Sequence, residues 1–365
     1  MSALGVWLQG VRRVRRAKSL VLLLWLATVA VTIPPAIELH NAVKTHLGAS
    51  LEANSAADGV NFDWLQEFRA QADPLGRSLR PDVIGFAAVM DNTSALADVS
   101  QRPIVALIAG VIFVVLMWFL SSGCICRLAV DRQLGAGGFA ACCAAFLGRM
   151  LRLNVVALFL YSTLVGSFHQ WLFDDVFEAV TKDLTVERTA FFIRVACYAV
   201  FFFLLAACNV VFDFAKVRLV VEDRRSVLFS IVAGAHFVLT NARLALGVYA
   251  MNVLALGGVI GLYWMSAPGA GGAGASMWVG FLVSQIYIAS RVFVKLAFWG
   301  SEVVALNVLP YRELVFAPAA APMTTSHCAA SSSVIGSTSA RRMKRSAASL
   351  VAASRTRFTY SARVP

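Results

Sequence analysis

Six apolar stretches, near residues 19–40, 104–122, 153–173, 190–212, 245–266 and 276–298, constrain this chain more than anything else in it. Each is close to the about 20 residues that an α-helix needs to cross a hydrocarbon core. Helices on the surface of a soluble protein carry a polar face, and these stretches are apolar all round. The predicted fold class is therefore all-α: a polytopic membrane protein with six transmembrane helices. Composition agrees, with 59% hydrophobic and 14% charged residues and a mean hydropathy of +0.73. Soluble proteins carry about a quarter charged residues.

The basic residues then orient the spans. Of the 32 Lys and Arg, 24 fall in the N-terminal segment, the loops 123–152 and 213–243, and the chain beyond 290. Seven fall in the loops 41–103 and 174–189, and Arg194 lies just inside the fourth span. Positive charge is retained on the cytoplasmic side, so both termini are predicted to be cytoplasmic and 41–103 to be exported. The formal charge of +12 is explained by this topology. No aromatic platform is interleaved with the basic residues, so no nucleic-acid partner is expected. Arg12-Arg13-Val14-Arg15-Arg16-Ala17-Lys18 precedes an apolar run longer than a signal peptide's, with no small-residue cleavage site, which reads as a retained anchor.

Three regions follow: a basic cytoplasmic segment 1–18, a membrane domain 19–316 and a tail 317–365. The tail holds 12 Ala, 10 Ser, seven basic residues and no acid, a composition that favours disorder. Its Arg341-Arg342-Met343-Lys344-Arg345 run suits anionic lipid or an acidic protein partner, and an unselected extension explains it equally well.

An internal regularity runs through the middle of the chain. Arg127-Leu128-Ala129-Val130-Asp131 matches Arg218-Leu219-Val220-Val221-Glu222, and the same register pairs Phe146 with Phe237 and Arg152 with Arg243. Spans two and three thus read as a parallel repeat of spans four and five, against chance similarity between apolar segments. The N-terminal segment and the end of span six would make a third, circularly arranged unit. After span four, Phe214, Val217, Val221, Leu228, Val232, Ala235 and Leu239 recur at helical spacing. They predict a cytoplasmic amphipathic interfacial helix whose Arg218, Arg224 and Arg225 meet anionic lipid headgroups. In the first unit the helix is expected to break at Gly135, Gly137 and Gly138. Gly257 and Gly261, and Ala106 with Gly110, have the spacing of close helix packing.

An ionisable group at membrane depth is costly and suggests function. The candidates are Asp213 at the end of span four, Arg291 and Lys295 near the end of span six, and Asn252 in span five. Arg291 and Lys295 are expected to snorkel to cytoplasmic headgroups, and interfacial anchoring is favoured over an Asp213 pairing with Arg291 or Lys216. Asn209, Gln285 and His169 are expected to make interhelical hydrogen bonds. Pro34-Pro35 marks a kink or helix end near the outer end of span one.

Reactive signatures are lacking. No Gly-x-Ser-x-Gly elbow or phosphate-binding Gly-Lys-Ser/Thr occurs. Cys124-Ile-Cys126 and Cys142-Cys143 lack zinc-ligand spacing, so these thiols are expected to be small apolar groups at a helix surface. The exported loop carries eight acids against five basic residues, with a short amphipathic helix expected around Asp63–Gln71. It reads as a lid or docking surface for a protein partner; a catalytic use would need Asp58, Asp63, Glu67 and Asp73 about one cavity. No catalytic residue, metal or cofactor is assigned.

With Asp213-Phe214-Ala215-Lys216-Val217-Arg218 running into Val221-Glu222-Asp223-Arg224-Arg225-Ser226, and Tyr311-Arg312-Glu313-Leu314 after the last span, the chain loosely resembles uncharacterised six-helix bacterial inner-membrane families. One of these is the membrane domain fused to some glycerophosphodiester phosphodiesterases. The resemblance implies a bacterial cytoplasmic membrane and transfers no site; the phosphodiesterase domain is absent. The expected function is a non-catalytic interaction or envelope-organising component, with transport or lipid handling as the alternative.

Overall fold

The computed structural model describes residues 2–48, 50–58, 61–80, 85–100, 104–130, 134–267 and 274–308. The tail 317–365 and its basic run at 341–345 lie outside the described residues. All regular structure among them is helical, and six helices are long and apolar enough to cross a membrane. The chain begins with α1 (Ala3–Arg16) and α2 (Lys18–Gly48), followed by the short helices α3 (Ala53–Asp58), α4 (Phe62–Gln71) and α5 (Phe86–Ala97). Then come α6 (Ile104–Val130), α7 (Ala136–Thr163), two π-helical stretches at Leu164–Phe168 and Trp171–Val176, and α8 (Phe177–Thr181). α9 (Glu187–Val221), α10 (Val227–Thr240), α11 (Ala242–Ser266) and α12 (Ala275–Val308) complete it.

The outer surface of the spans is apolar. Phe159, Phe203, Leu254, Leu262 and Ile286 are each more than half exposed, as side chains are where the solvent is lipid. The densest packing lies at one end of the bundle. There, residues 120–128 of α6 and 296–305 of α12 are buried on every side, as are residues 212–220 of α9 apart from the half-buried Lys216. These three segments are posts, and α7, α10 and α1 pack against α6, α9 and α12 respectively.

Glycines let these pairs close. A Cβ on Gly10 would lie 2.5 Å from the backbone nitrogen of Ser301, and one on Gly300 would meet the Gly10 carbonyl at 3.0 Å, so α1 and α12 touch backbone to backbone. Gly234 lies almost as tightly on Val211 and Ala215 of α9. Gly110, Gly257 and Gly261, expected from their spacing to pack closely, meet nothing within 4 Å. They sit on faces turned away from neighbouring helices.

The chain reverses between α9 and α10. Asp223 takes a left-handed φ of 47°, and the Arg224 amide bonds back to the Leu219 carbonyl at 3.2 Å, closing the helix end. Arg149 of α7 donates to the Asp223 carboxylate and holds the turn. Ser226 then caps α10, accepting from the Phe229 amide. This reversal divides the stripe expected to form one helix: Phe214 and Val217 are buried in α9, whereas Leu228, Val232 and Leu239 are exposed on α10. In the first unit α6 ends at Val130, and Gly135 caps α7 while Gly137 and Gly138 lie inside its first turn. Pro34 and Pro35 do not end a helix, since α2 continues through both.

At the opposite end, α4 is the amphipathic helix expected near Asp63–Gln71. Asn61 caps it by accepting from the Trp64 amide at 3.0 Å, and Trp64, Leu65 and Phe68 pack on the last turns of α2.

Candidate functional site

Two of the charged groups singled out in the spans, Asp213 and Lys295, meet between the α9 and α12 posts. Asp213, on α9, is completely buried. Its Oδ2 accepts from Lys295 Nζ of α12 at 2.9 Å and its Oδ1 from Lys216 Nζ, one turn along α9, at 3.3 Å. Each carboxylate oxygen thus has its own ammonium. Lys295, expected to snorkel, instead turns inward and also lies over the Phe298 and Trp299 rings. Its side chain remains 43% exposed and that of Lys216 21%, so both lysines reach the protein surface, which Asp213 does not. Arg291 does not join them; it is exposed and lies over the Tyr287 ring.

Glu302, about two turns further along α12, is also completely buried, and neither of its carboxyl oxygens has a hydrogen-bond partner. Burying an unpaired carboxylate costs several kcal/mol. Hydropathy and motif reading pass over this residue. The signal is an acid inside ten residues, 296–305, that are otherwise small, aromatic or aliphatic.

Asn252 of α11 is buried and bonded at both ends of its amide. It accepts from Trp7 Nε1 of α1 at 3.1 Å and donates to the Val248 carbonyl at 2.9 Å, with Ser301 Oγ at 3.5 Å. Gln285 accepts from Trp25 Nε1 at 3.0 Å, and Asn209 is half-buried. Asn252 and Gln285 tie α1, α2, α11 and α12 together.

The expected headgroup contacts divide. Arg218 is buried: it pairs with Glu222, donates to the Ala233 carbonyl at 3.2 Å and lies over Phe237, so it fastens α9 to α10 and does not face lipid. Arg224 pairs with Glu222, and Arg225 is exposed. The cysteines also lie deeper than a helix surface. Cys124, Cys126, Cys142 and Cys143 are buried at the α6–α7 crossing, with the Cys126 and Cys142 sulfurs 2.9 Å apart.

A second polar constellation fastens loop 41–103 to the spans. Tyr198 of α9 donates to Asp98 Oδ1 at 2.6 Å, and His169 Nε2 donates to the Ala97 carbonyl at 2.8 Å. His169 sits between the two π-helical stretches, whose extra residue per turn re-aims side chains. It stacks on Phe173 and meets Phe201 edge-on. The Tyr198 hydrogen bond holds the Asp98 carboxyl below the ordinary carboxylate range, against a smaller opposing effect of burial.

The acids considered for a catalytic loop do not converge. Asp63, Glu67 and Asp73 are exposed, and Asp73 accepts from the Gly76 amide at 2.7 Å as a local cap. The side chain of Asp58, the fourth of these acids, lies outside what the structure describes. Among the described residues no group of three His, Cys, Asp or Glu is placed to hold a metal ion. No protein-family model, curated protein or solved structure gives a significant match to this chain.

Proposed function

We propose that this chain is a non-catalytic interaction or envelope-organising component of a bacterial cytoplasmic membrane, with both termini in the cytoplasm. The observation that carries the reading is that Asp213, Asn252 and Gln285, three of the four polar groups a permeation path would need, bond to protein neighbours; the fourth, Asn209, is half-buried. The posts carry the packing, and the acidic exported loop offers the docking face. The loose resemblance to six-helix inner-membrane families is in keeping with this.

The α6–α7, α9–α10 and α12–α1 pairs read as three copies of one unit, the last circularly arranged. Support comes from their burial: Arg127 and Arg218, Leu128 and Leu219, and Phe146 and Phe237 are buried at matched positions. The helix ends fall in the same register, with Val130 of α6 matching Val221 of α9 and Ala136 of α7 matching Val227 of α10.

Cysteine labelling tests the closed bundle. In a chain freed of its native cysteines, Asn252→Cys and Gln285→Cys are expected to resist a membrane-impermeant methanethiosulfonate from both sides. Ser55→Cys should label from outside only, and Ser332→Cys from inside only. Labelling of Asn252→Cys from either side would transfer the assignment to a transporter.

A further inference from the structure

An open groove of about 410 Å³ runs between the α1–α2 junction and α12, and Arg15, Lys18, Leu22, Trp25, Ala289 and Phe293 are among its lining residues. Its wall is apolar throughout: Arg15 and Lys18 contribute their aliphatic stems to it, and their charged ends lie outside the lining. Lys18 and Trp25 are seven residues apart on α2, about 10 Å along the helix axis. Neither Arg15 nor Lys18 makes an ion pair among the described residues, and both are exposed. Neighbouring Arg13 is committed to the Leu128 carbonyl at 2.9 Å. Beyond the groove, the apolar surface continues over Leu26 on α2 and over Leu282 and Ile286 on α12.

We propose that this groove is a binding site for one anionic glycerophospholipid, its phosphate held by Arg15 and Lys18 and an acyl chain lying against Leu22, Trp25, Ala289 and Phe293. Exposed basic groups at the rim beside hydrocarbon-compatible walls match the two halves of such a molecule, and the direction is that of a lipid in the cytoplasmic leaflet. A zwitterionic lipid would present its own cation to the two basic groups. The Trp25–Gln285 hydrogen bond fixes the indole, so the wall is formed before the lipid arrives. The inference rests on the membrane placement and cytoplasmic N-terminus proposed above. It is independent of whether the bundle is closed.

The test uses the full chain in mild detergent, exposed to vesicles of equimolar phosphatidylglycerol and phosphatidylcholine, with retained lipid counted by native mass spectrometry. One phosphatidylglycerol is expected to be retained in preference to phosphatidylcholine. The double change Arg15→Gln and Lys18→Gln is expected to weaken its retention roughly 25-fold, each basic group at an anionic surface contributing about fivefold. Ala289→Trp, which fills the groove and leaves the charges, should abolish retention. Arg152→Gln with Arg243→Gln removes equal charge from exposed positions elsewhere and should leave retention unchanged. Equal retention of both lipids by the native chain would overturn the proposal, as would native-like retention by the Arg15/Lys18 variant or by Ala289→Trp. A dimer that Ala289→Trp dissolves, with no lipid retained, would assign the groove to a second copy and overturn it too. Because no labelling at Asn252 enters this readout, its failure leaves the closed-bundle reading standing.

Discussion

Stranding Asp213 should be far more damaging than removing it. The carboxylate is completely buried and holds one lysine on each oxygen, while those lysines stay 43% and 21% exposed. Changing Lys295 or Lys216 alone to Met leaves one ammonium in place, for a loss of about 1–2 kcal/mol. Changing both leaves an uncompensated buried charge, which costs about 3–5 kcal/mol. A second route bounds the same quantity. The stranded carboxylate can escape by taking a proton, and for a carboxyl that ionises near 3.9 in water this costs about 4 kcal/mol at pH 7. The double loss is therefore capped near that value and should shrink by about 1.4 kcal/mol per pH unit on acidification.

Asp213→Asn leaves two ammoniums that can extend to solvent, so its loss should stay near 1 kcal/mol after discounting for exposure. The triple variant, Asp213→Asn with Lys216→Met and Lys295→Met, has no buried charge at this point and should return to within about 1 kcal/mol of the native chain. The assay is reversible denaturant unfolding in mixed micelles, followed by tryptophan fluorescence and compared at constant slope. A Lys216/Lys295 double variant losing under about 1 kcal/mol, or losses that do not change between pH 7 and pH 5, would refute the reasoning from a stranded charge.

Three further outcomes are expected. Gly10→Leu and Gly234→Leu should each destabilise by at least about 2 kcal/mol, because the added atoms meet backbone; Gly123→Leu meets the side chains of Cys143 and Phe139 and should be milder. Equal losses in the same unfolding assay would mean the crossings are not set by backbone approach. Glu302→Met should hold or raise stability by about 1–3 kcal/mol, since it removes an unpartnered buried carboxyl; a clear loss would mean that the carboxyl has a partner in the membrane. The loop latch should weaken in acid. A depressed carboxyl contributes stability above its unfolded value, about 3.9, and loses it as pH falls through the folded one, so protease nicking of loop 41–103 should rise below about pH 4. Tyr198→Phe should raise nicking already at neutral pH and flatten its dependence on pH, and an unchanged profile would show that Tyr198 does not hold Asp98.

What the residues disclosed depended on how far their partners lay along the chain. Spans are a local property of length and apolarity, so all six were legible. Lys216 and Asp213 are three apart and could be paired by inspection, but Lys295 lies 82 residues from Asp213 and its inward turn could not. The glycines with motif spacing, Gly257 and Gly261, face open space, whereas Gly10 and Gly300 meet across nearly the whole chain. The reversal at Asp223 did leave a signal, a polar Asp-Arg-Arg-Ser run ending in a helix cap, but the helical period continues across it and conceals the turn.

Most of the core lies at or beyond one end of the stretches that mark the spans, for a physical reason. Lipid tails are as apolar as leucine, so within the bilayer no hydrophobic gain drives helices together, and the middles of these spans show largely exposed faces. Where the helices leave the hydrocarbon, water returns and burial becomes favourable again. There the posts pack all round, with α1, α7 and α10 against them. A hydropathy scan ranks residues by their membrane affinity and so passes over Gly10, Gly300 and Glu302, which lie in the closely packed segments. The charge cluster follows the same division: Asp213 is buried near the end of α9, and its cost is offset there by two lysines that stay partly exposed at the protein surface.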